Sequence, residues 1–179
     1  ARIDAIATAH PGLAEVIDIG GSFLNEDLRL LRLTNRSAPG PKPVFFLMAA
    51  IHAREMATSE LALAYASRLA NDYGTDADAT WLLDHQEIHI LPVANPDGRR
   101  LADTGLYQRK NLNDTNGGHC ETPPSGTNHV GTDLNRNYTF NWACCGGSSP
   151  FPCEQSFRGA TPGSEPETVA VQSWIRSIY

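Results

Sequence analysis

Residues 43–55 read PVFFLMAAIHARE, and what happens inside that run decides the fold. Residues 44–50 are apolar without a break, which suits a central strand covered on both faces rather than one that alternates between core and water. A histidine, an arginine and a glutamate follow within four residues, at His52, Arg54 and Glu55. Just beyond, Leu61, Tyr65, Leu69 and Tyr73 fall at i, i+4, i+8 and i+12, one face of a helix over residues 57–73 that Gly74 ends. A buried strand that ends in charged chemistry and resumes as a helix belongs to an α/β sheet, where ligands bind outside the carboxyl ends of the strands.

The flanking sequence fits. AEVIDIG, residues 14–20, and DLRLLRL, residues 27–33, read as strands. EIHILPV, residues 87–93, is another, closed by the turn chemistry of NPDG. Ile3, Ile6 and Ala7 give a first helix that Pro11-Gly12 stops. A last helix opens on a capping box, Ser164 with Glu167 three residues on, and runs through Ala170, Val171, Trp174, Ile175 and Ile178. The expected fold is α/β, with a mixed, largely parallel central sheet and helices on both faces. Residues 99–162 are rich in Gly, Pro, Asn and Ser, and an irregular stretch of that length in a compact domain is usually functional. Both ends read as cut, since the first helix has no capping residue and the last stops at Tyr179 without a terminating Gly or Asn.

Composition narrows the partners. The 179 residues are 41% hydrophobic and 19% charged, with a net charge of −6. No Lys/Arg-rich run exists, which argues against nucleic acid, and no apolar run approaches the ~20 residues of a membrane helix. Four cysteines, Cys120, Cys144, Cys145 and Cys153, lie in the loop-rich region. An even count there reads as disulfides in a secreted, extracellular protein, with metal binding the competing reading. Sequons stand at Asn35, Asn113 and Asn137.

Three motifs carry chemistry. His52 and Glu55, three apart in a turn, can point at one ion, and imidazole nitrogen with carboxylate oxygen suits Zn²⁺; a solvated loop has the same spelling. In GTDLNRNY, residues 131–138, Asn135 and Arg136 supply donors that grip a carboxylate, and a loop-tying Arg is the alternative. In YQRK, residues 107–110, adjacent cations mark either a solvated face or a functional Arg109.

In that order, HARE after an apolar strand, NPDG after a later one, RKN and GTDLNRNY resemble the zinc metallocarboxypeptidases of the funnelin (M14) family. The run GTDLNRNYTFNWACCGGSS is most similar to the bacterial secreted carboxypeptidase T type. The resemblance implies that His52 and Glu55 are two of three zinc ligands and that Asp133 orients the ligand histidine. It implies that Asn135 and Arg136 bind the substrate's terminal carboxylate. Arg109 would stabilise the oxyanion, and Arg54 would contact substrate beyond the scissile bond. It further implies that residues 1–179 are the N-terminal part of one catalytic domain, truncated at the C-terminus. The third ligand, the general-base glutamate and the C-terminal half, on the same chain or a separate one, would lie beyond. Alone, these residues would be inactive toward their substrates, the C-termini of peptides or proteins. The family's first disulfide position is held here by His129 or a neighbour, so the resemblance implies Cys120–Cys153 with Cys144 and Cys145 bridged to each other or free, and the crossed pairings among the three connectivities that four cysteines allow stay open. A deacylase or amidase of the same fold, and a non-catalytic carboxylate-binding module, are the competing functions.

Overall fold

The computed structural model describes residues 2–116 and 119–179. In chain order it has α1 (Arg2–Ala9), β1 (Ala14–Gly21), β2 (Asp27–Leu33), β3 (Val44–Met48), α2 (Met56–Asp72), α3 (Ala77–His85), β4 (Glu87–Leu91), α4 (Pro96–Asp103) and α5 (Pro166–Ile178), with a 3₁₀ turn at Leu134–Arg136. The sheet is mixed, in the order β1-β2-β4-β3. β4 pairs antiparallel with β2 and parallel with β3. Residues 22–26 are too short a connection for a parallel crossover, so β1 and β2 form a hairpin.

The chain divides into two compact units. The first holds the residues up to Asp18, Arg29–Ala49 and Ala57–Pro92. Its core forms where period-two strands meet helices. Leu31 lies opposite Ile90, and Leu33 opposite Ile88. Those four side chains pack with Ile3 and Ile6 of α1, with Ala62, Ala66, Leu69 and Ala70 of α2, and with Ala79 and Leu83 of α3. The alternate position on β4, His89, is buried and paired with Glu87 at 3.0 Å, a structural role.

The second unit comprises Ile19–Leu28, Ala50–Met56 and Val93–Tyr179. Little of it is regular. α4 begins where Asn95 caps Gly98 N–H at 3.0 Å and Pro96 occupies the first turn. α5 closes the described chain, and Ala170 approaches Gly20 so closely that a Cβ there would sit 2.8 Å from the alanine Cβ.

Four readings of the sequence change. NPDG opens a helix rather than closing a strand, because an Asn followed by Pro is also a cap and first turn. Of the α2 face read from the sequence, Leu69 is buried and Tyr65 and Tyr73 pack against the core, but Leu61 is 73% exposed, and the alanines Ala62 and Ala66 take the closest approach to the sheet. The capping box at Ser164 does not form. Glu165 is the N-cap and makes no side-chain cap bond, because its carboxylate is taken by Asn111, Asn113 and Thr132. And β3 stands at the end of the described strand order, with Phe45 48% exposed. Its second apolar face and Leu61 and Tyr65 of α2 line a groove of about 520 Å³.

Ile90→Ala, at a fully buried position, is expected to cost about 2–5 kcal/mol. Leu61→Ala should stay within about 0.5 kcal/mol. Urea unfolding with unchanged m-values measures both, and equal losses would contradict the assigned core.

Candidate active site

Every site residue nominated from the sequence, His52, Arg54, Glu55, Arg109, Asp133, Asn135 and Arg136, lies in the second unit. The segment after β3 turns tightly, with Ala50 at φ 46° and Glu55 N–H donating to His52 O at 3.1 Å. That turn sets His52 Nδ1 2.9 Å from Glu55 Oε1 and His52 Nε2 3.3 Å from Asp133 Oδ1. Asp133 is fully buried, and its carboxylate accepts. A proton on Nε2 would satisfy it and leave the Nδ1 lone pair facing the Glu55 carboxylate, the arrangement of a metal-ligating imidazole. In that tautomer the imidazole nitrogen and the carboxylate oxygen stand side by side as two ligands of one cation would. This donor chemistry fits Zn²⁺. Among the described residues no third His, Cys, Asp or Glu completes a three-donor cluster there.

Asp133 gathers more than His52. Arg109 donates to its Oδ2 from Nη2 at 2.9 Å and from Nε at 3.2 Å, and Asn135 N–H donates to Oδ1 at 3.0 Å. Burial pushes the Asp133 carboxyl up, but the His52 bond and the Arg109 charge outweigh it and hold it below its ordinary value. Arg109 Nη1 then stands 4.0 Å from Glu55 Oε1. Asp133 also caps the 3₁₀ turn that presents Asn135 and Arg136. Arg136 Nε is buried with no hydrogen-bond partner among the described residues, and Asn135 and Arg136 line a cavity of about 150 Å³ with Tyr138, Trp142 and Cys144. Arg54 donates from Nη2 to Gln155 Oε1 at 2.8 Å and lies over the Tyr107 ring.

The sequence matches the zinc carboxypeptidase family, Peptidase_M14, over residues 1–179. The chain belongs to this family. It is 38% identical over 177 residues to Carboxypeptidase A2 of Mus musculus, covering 98% of this chain and 39% of that protein. Among solved structures, thrombin activatable fibrinolysis inhibitor superposes with TM-score 0.83 at 30% identity, covering 98% of this chain and 41% of the other. Carboxypeptidase A from Helicoverpa armigera gives 0.80 at 30% identity, covering 98% and 40%. The chain thus spans about two-fifths of the length of the relatives it matches.

Several supports of this cluster were missed in the sequence. Lys110, fully buried, donates from Nζ to Pro152 O at 2.6 Å and Glu154 O at 3.0 Å; burial pushes it down to about 8. His129 is no ligand. Its Nδ1 lies 3.0 Å from Ser125 O, and Nε2 accepts from Arg109 N–H at 3.4 Å. Beneath the loops, Asn111 Nδ2 donates to Glu165 at 2.7 Å and to Glu167 at 3.2 Å, while Thr132 Oγ1 donates to Glu165 at 3.1 Å. Apart from Ser125, four residues from His129, these partners lie 20 to 56 residues apart in sequence, so no local pattern announces them.

The cysteines pair as Cys120–Cys153 and Cys144–Cys145. Pairing consumes the thiols beside His119 and removes the metal-binding reading of that cluster. None of the three sequons leaves its amide nitrogen idle. Asn35 Nδ2 donates to Tyr73 and Asp84, Asn113 Nδ2 to Glu165, and the fully buried Asn137 Nδ2 to Arg158 O, Thr161 O and Ser164 Oγ.

Two buried groups give stability opposite pH slopes. Burial, with Glu165 beside it, pushes Glu167 up to about 7 from 4.5. Its raised value stabilises the fold fully below about pH 4.5, and that contribution is lost as pH rises through 7, on the order of 3 kcal/mol. His129 is pushed down to about 4 from 6.5 by burial and then by Lys110. Its contribution is full above about pH 6.5 and lost as pH falls through 4. Urea unfolding of Glu167→Gln should show the decline between pH 5 and 8 reduced by that order of magnitude. An unchanged decline would show that Glu167 is not its source.

Proposed function

We propose that this chain carries part of the active site of a zinc-dependent metallocarboxypeptidase that removes C-terminal residues from peptides. The observation that supports it most is the convergence on Asp133. One buried carboxylate holds the far nitrogen of His52 and the guanidinium of Arg109, while His52 and Glu55 turn matched donors toward each other. Zinc held there by His52 and Glu55 would supply a Lewis acid and an activated water. Arg109, fixed from two nitrogens, keeps Nη1 directed to the same side, where it would stabilise the oxyanion of the attacked carbonyl. Arg136, with a buried and unpartnered Nε, and the neighbouring Asn135 would take the terminal carboxylate and make the enzyme an exopeptidase. Arg54 would contact substrate upstream of the scissile bond.

Catalytic zinc takes three protein ligands and an open position. The third ligand and the general-base glutamate are therefore assigned to sequence beyond residue 179, on the same chain or a partner one. The relatives' greater length supports this, and so does the open apolar groove beside β3. On this reading residues 1–179 are the N-terminal part of a single catalytic domain and are inactive alone. Two disulfides support an extracellular enzyme. The run GTDLNRNYTFNWACCGGSS is what supports the bacterial secreted carboxypeptidase T kind.

Hydrolysis of a blocked dipeptide by the full-length protein tests the reading. EDTA should abolish it, and the 179-residue chain should show none. Arg109→Ala should lower kcat by about 10²–10³-fold. Arg136→Ala should raise KM and erase preference for a free C-terminal carboxylate over its amide. Hydrolysis indifferent to that carboxylate would favour a deacylase or amidase of this fold. Carboxylate binding without turnover in the full-length protein would favour a non-catalytic module.

A further inference from the structure

Arg54 is held more tightly than a surface arginine needs to be. Its guanidinium carbon lies 4.2 Å from the centroid of the Tyr107 ring, and Nη2 donates to Gln155 Oε1 at 2.8 Å. With those two contacts made, Nη1 is buried and has no hydrogen-bond partner among the described residues. A desolvated donor without an acceptor is costly, and native structures rarely leave one unless a ligand completes it.

Both clamps are themselves anchored. The three residues before Gln155 are pinned from separate directions: Lys110 Nζ donates to Pro152 O and Glu154 O, Cys153 is bridged to Cys120, and His129 N–H donates to Cys153 O at 3.1 Å. On the other side, the Tyr107 ring is backed by the loop at Gly126, where an added Cβ would lie 3.5 Å from Tyr107 Cε1. Stacking fixes the plane of the guanidinium and the amide fixes its rotation. An arginine free to rotate would lose entropy on taking up a ligand; this one has lost it before the ligand arrives.

We infer that Tyr107 and Gln155 are positioning residues that fix Arg54 with Nη1 open to an oxygen of the substrate main chain upstream of the scissile bond, and so set how much the enzyme gains from longer peptides. The inference rests on the substrate role proposed for Arg54. The acceptor it requires is a carbonyl oxygen, which any peptide of sufficient length presents regardless of its side chains. It is distinct from the terminal carboxylate that Arg136 is proposed to take.

Two blocked peptides with the same scissile residue, one carrying two further residues upstream, separate the possibilities in the full-length protein. Gln155→Ala and Tyr107→Ala should raise KM for the longer peptide about 10-fold, the effect of losing one oriented contact of about 1.4 kcal/mol, with kcat within about twofold. The loss on the longer peptide should exceed that on the shorter at least about fivefold. The double variant Arg54→Ala/Gln155→Ala should be no worse than Arg54→Ala, because Gln155 acts only through Arg54. Gln155→Glu, which keeps the acceptor, should restore KM. Calorimetric binding of a non-hydrolysed longer peptide to zinc-free protein should show the same 10-fold weakening. Equal losses on both peptides, a fall in kcat instead of a rise in KM, or multiplying losses in the double variant would overturn the inference. Absence of any length dependence in Arg54→Ala would instead overturn the substrate role of Arg54.

Discussion

A single buried carboxylate organises the second unit. Asp133 has no exposure to water, and a charge in that position is tolerable only with every lone pair engaged. His52, two nitrogens of Arg109 and the Asn135 amide engage them. The three motif-bearing segments, which are far apart in sequence, are thereby tied to one atom group. With Nε2 turned to Asp133, His52 presents Nδ1 to the Glu55 side. The orientation of the histidine, the placement of the arginine and the start of the 3₁₀ turn are one constraint seen three times.

Around that centre the chain is nearly devoid of regular structure, yet it is not loose. Loops pass within contact distance of one another, and glycine marks the crossings. A Cβ on Gly131, at φ +104°, would lie 1.9 Å from Asn111 O. One on Gly98 would lie 2.7 Å from Lys110 O. Side chains then replace the missing ladders. Gln108 Nε2 alone serves the carbonyls of Lys110, Asn111 and Val130. Buried polar groups satisfied in this way hold a loop as firmly as a sheet holds a strand.

How much of this was legible follows from the range of the forces. β2 is found at residues 27–33 as read, and α2 within a residue of its expected limits, because apolar periodicity is a local signal. α3 escaped notice although Asp76 caps it, since ADATWLLDH is short and its apolar pattern weak. Which face of α2 is buried is decided by the sheet it meets, not by the helix. At the site, the residue types of HARE, RKN and GTDLNRNY and their order were sufficient to nominate His52, Glu55, Arg109, Asp133, Asn135 and Arg136, and the fold brings His52, Glu55, Arg109 and Asp133 into mutual contact. Their supports were not legible. Lys110 looked like half of a solvated cation pair, and only the fold shows that its charge is spent on two carbonyls. Gln155 and Tyr107 carry no chemistry by spelling; they acquire it from where Arg54 is.

The amide of Asn137 bears on how the protein is produced. Its nitrogen is committed to three acceptors in a space sealed from solvent, so a sugar attached there would have to be accommodated where no room exists. In a secretory pathway that decorates Asn-X-Thr tripeptides as they emerge, oligosaccharide transfer and folding compete for the same atom. Chains modified first are barred from the native state. A bacterial host, or one lacking that transferase, removes the competition.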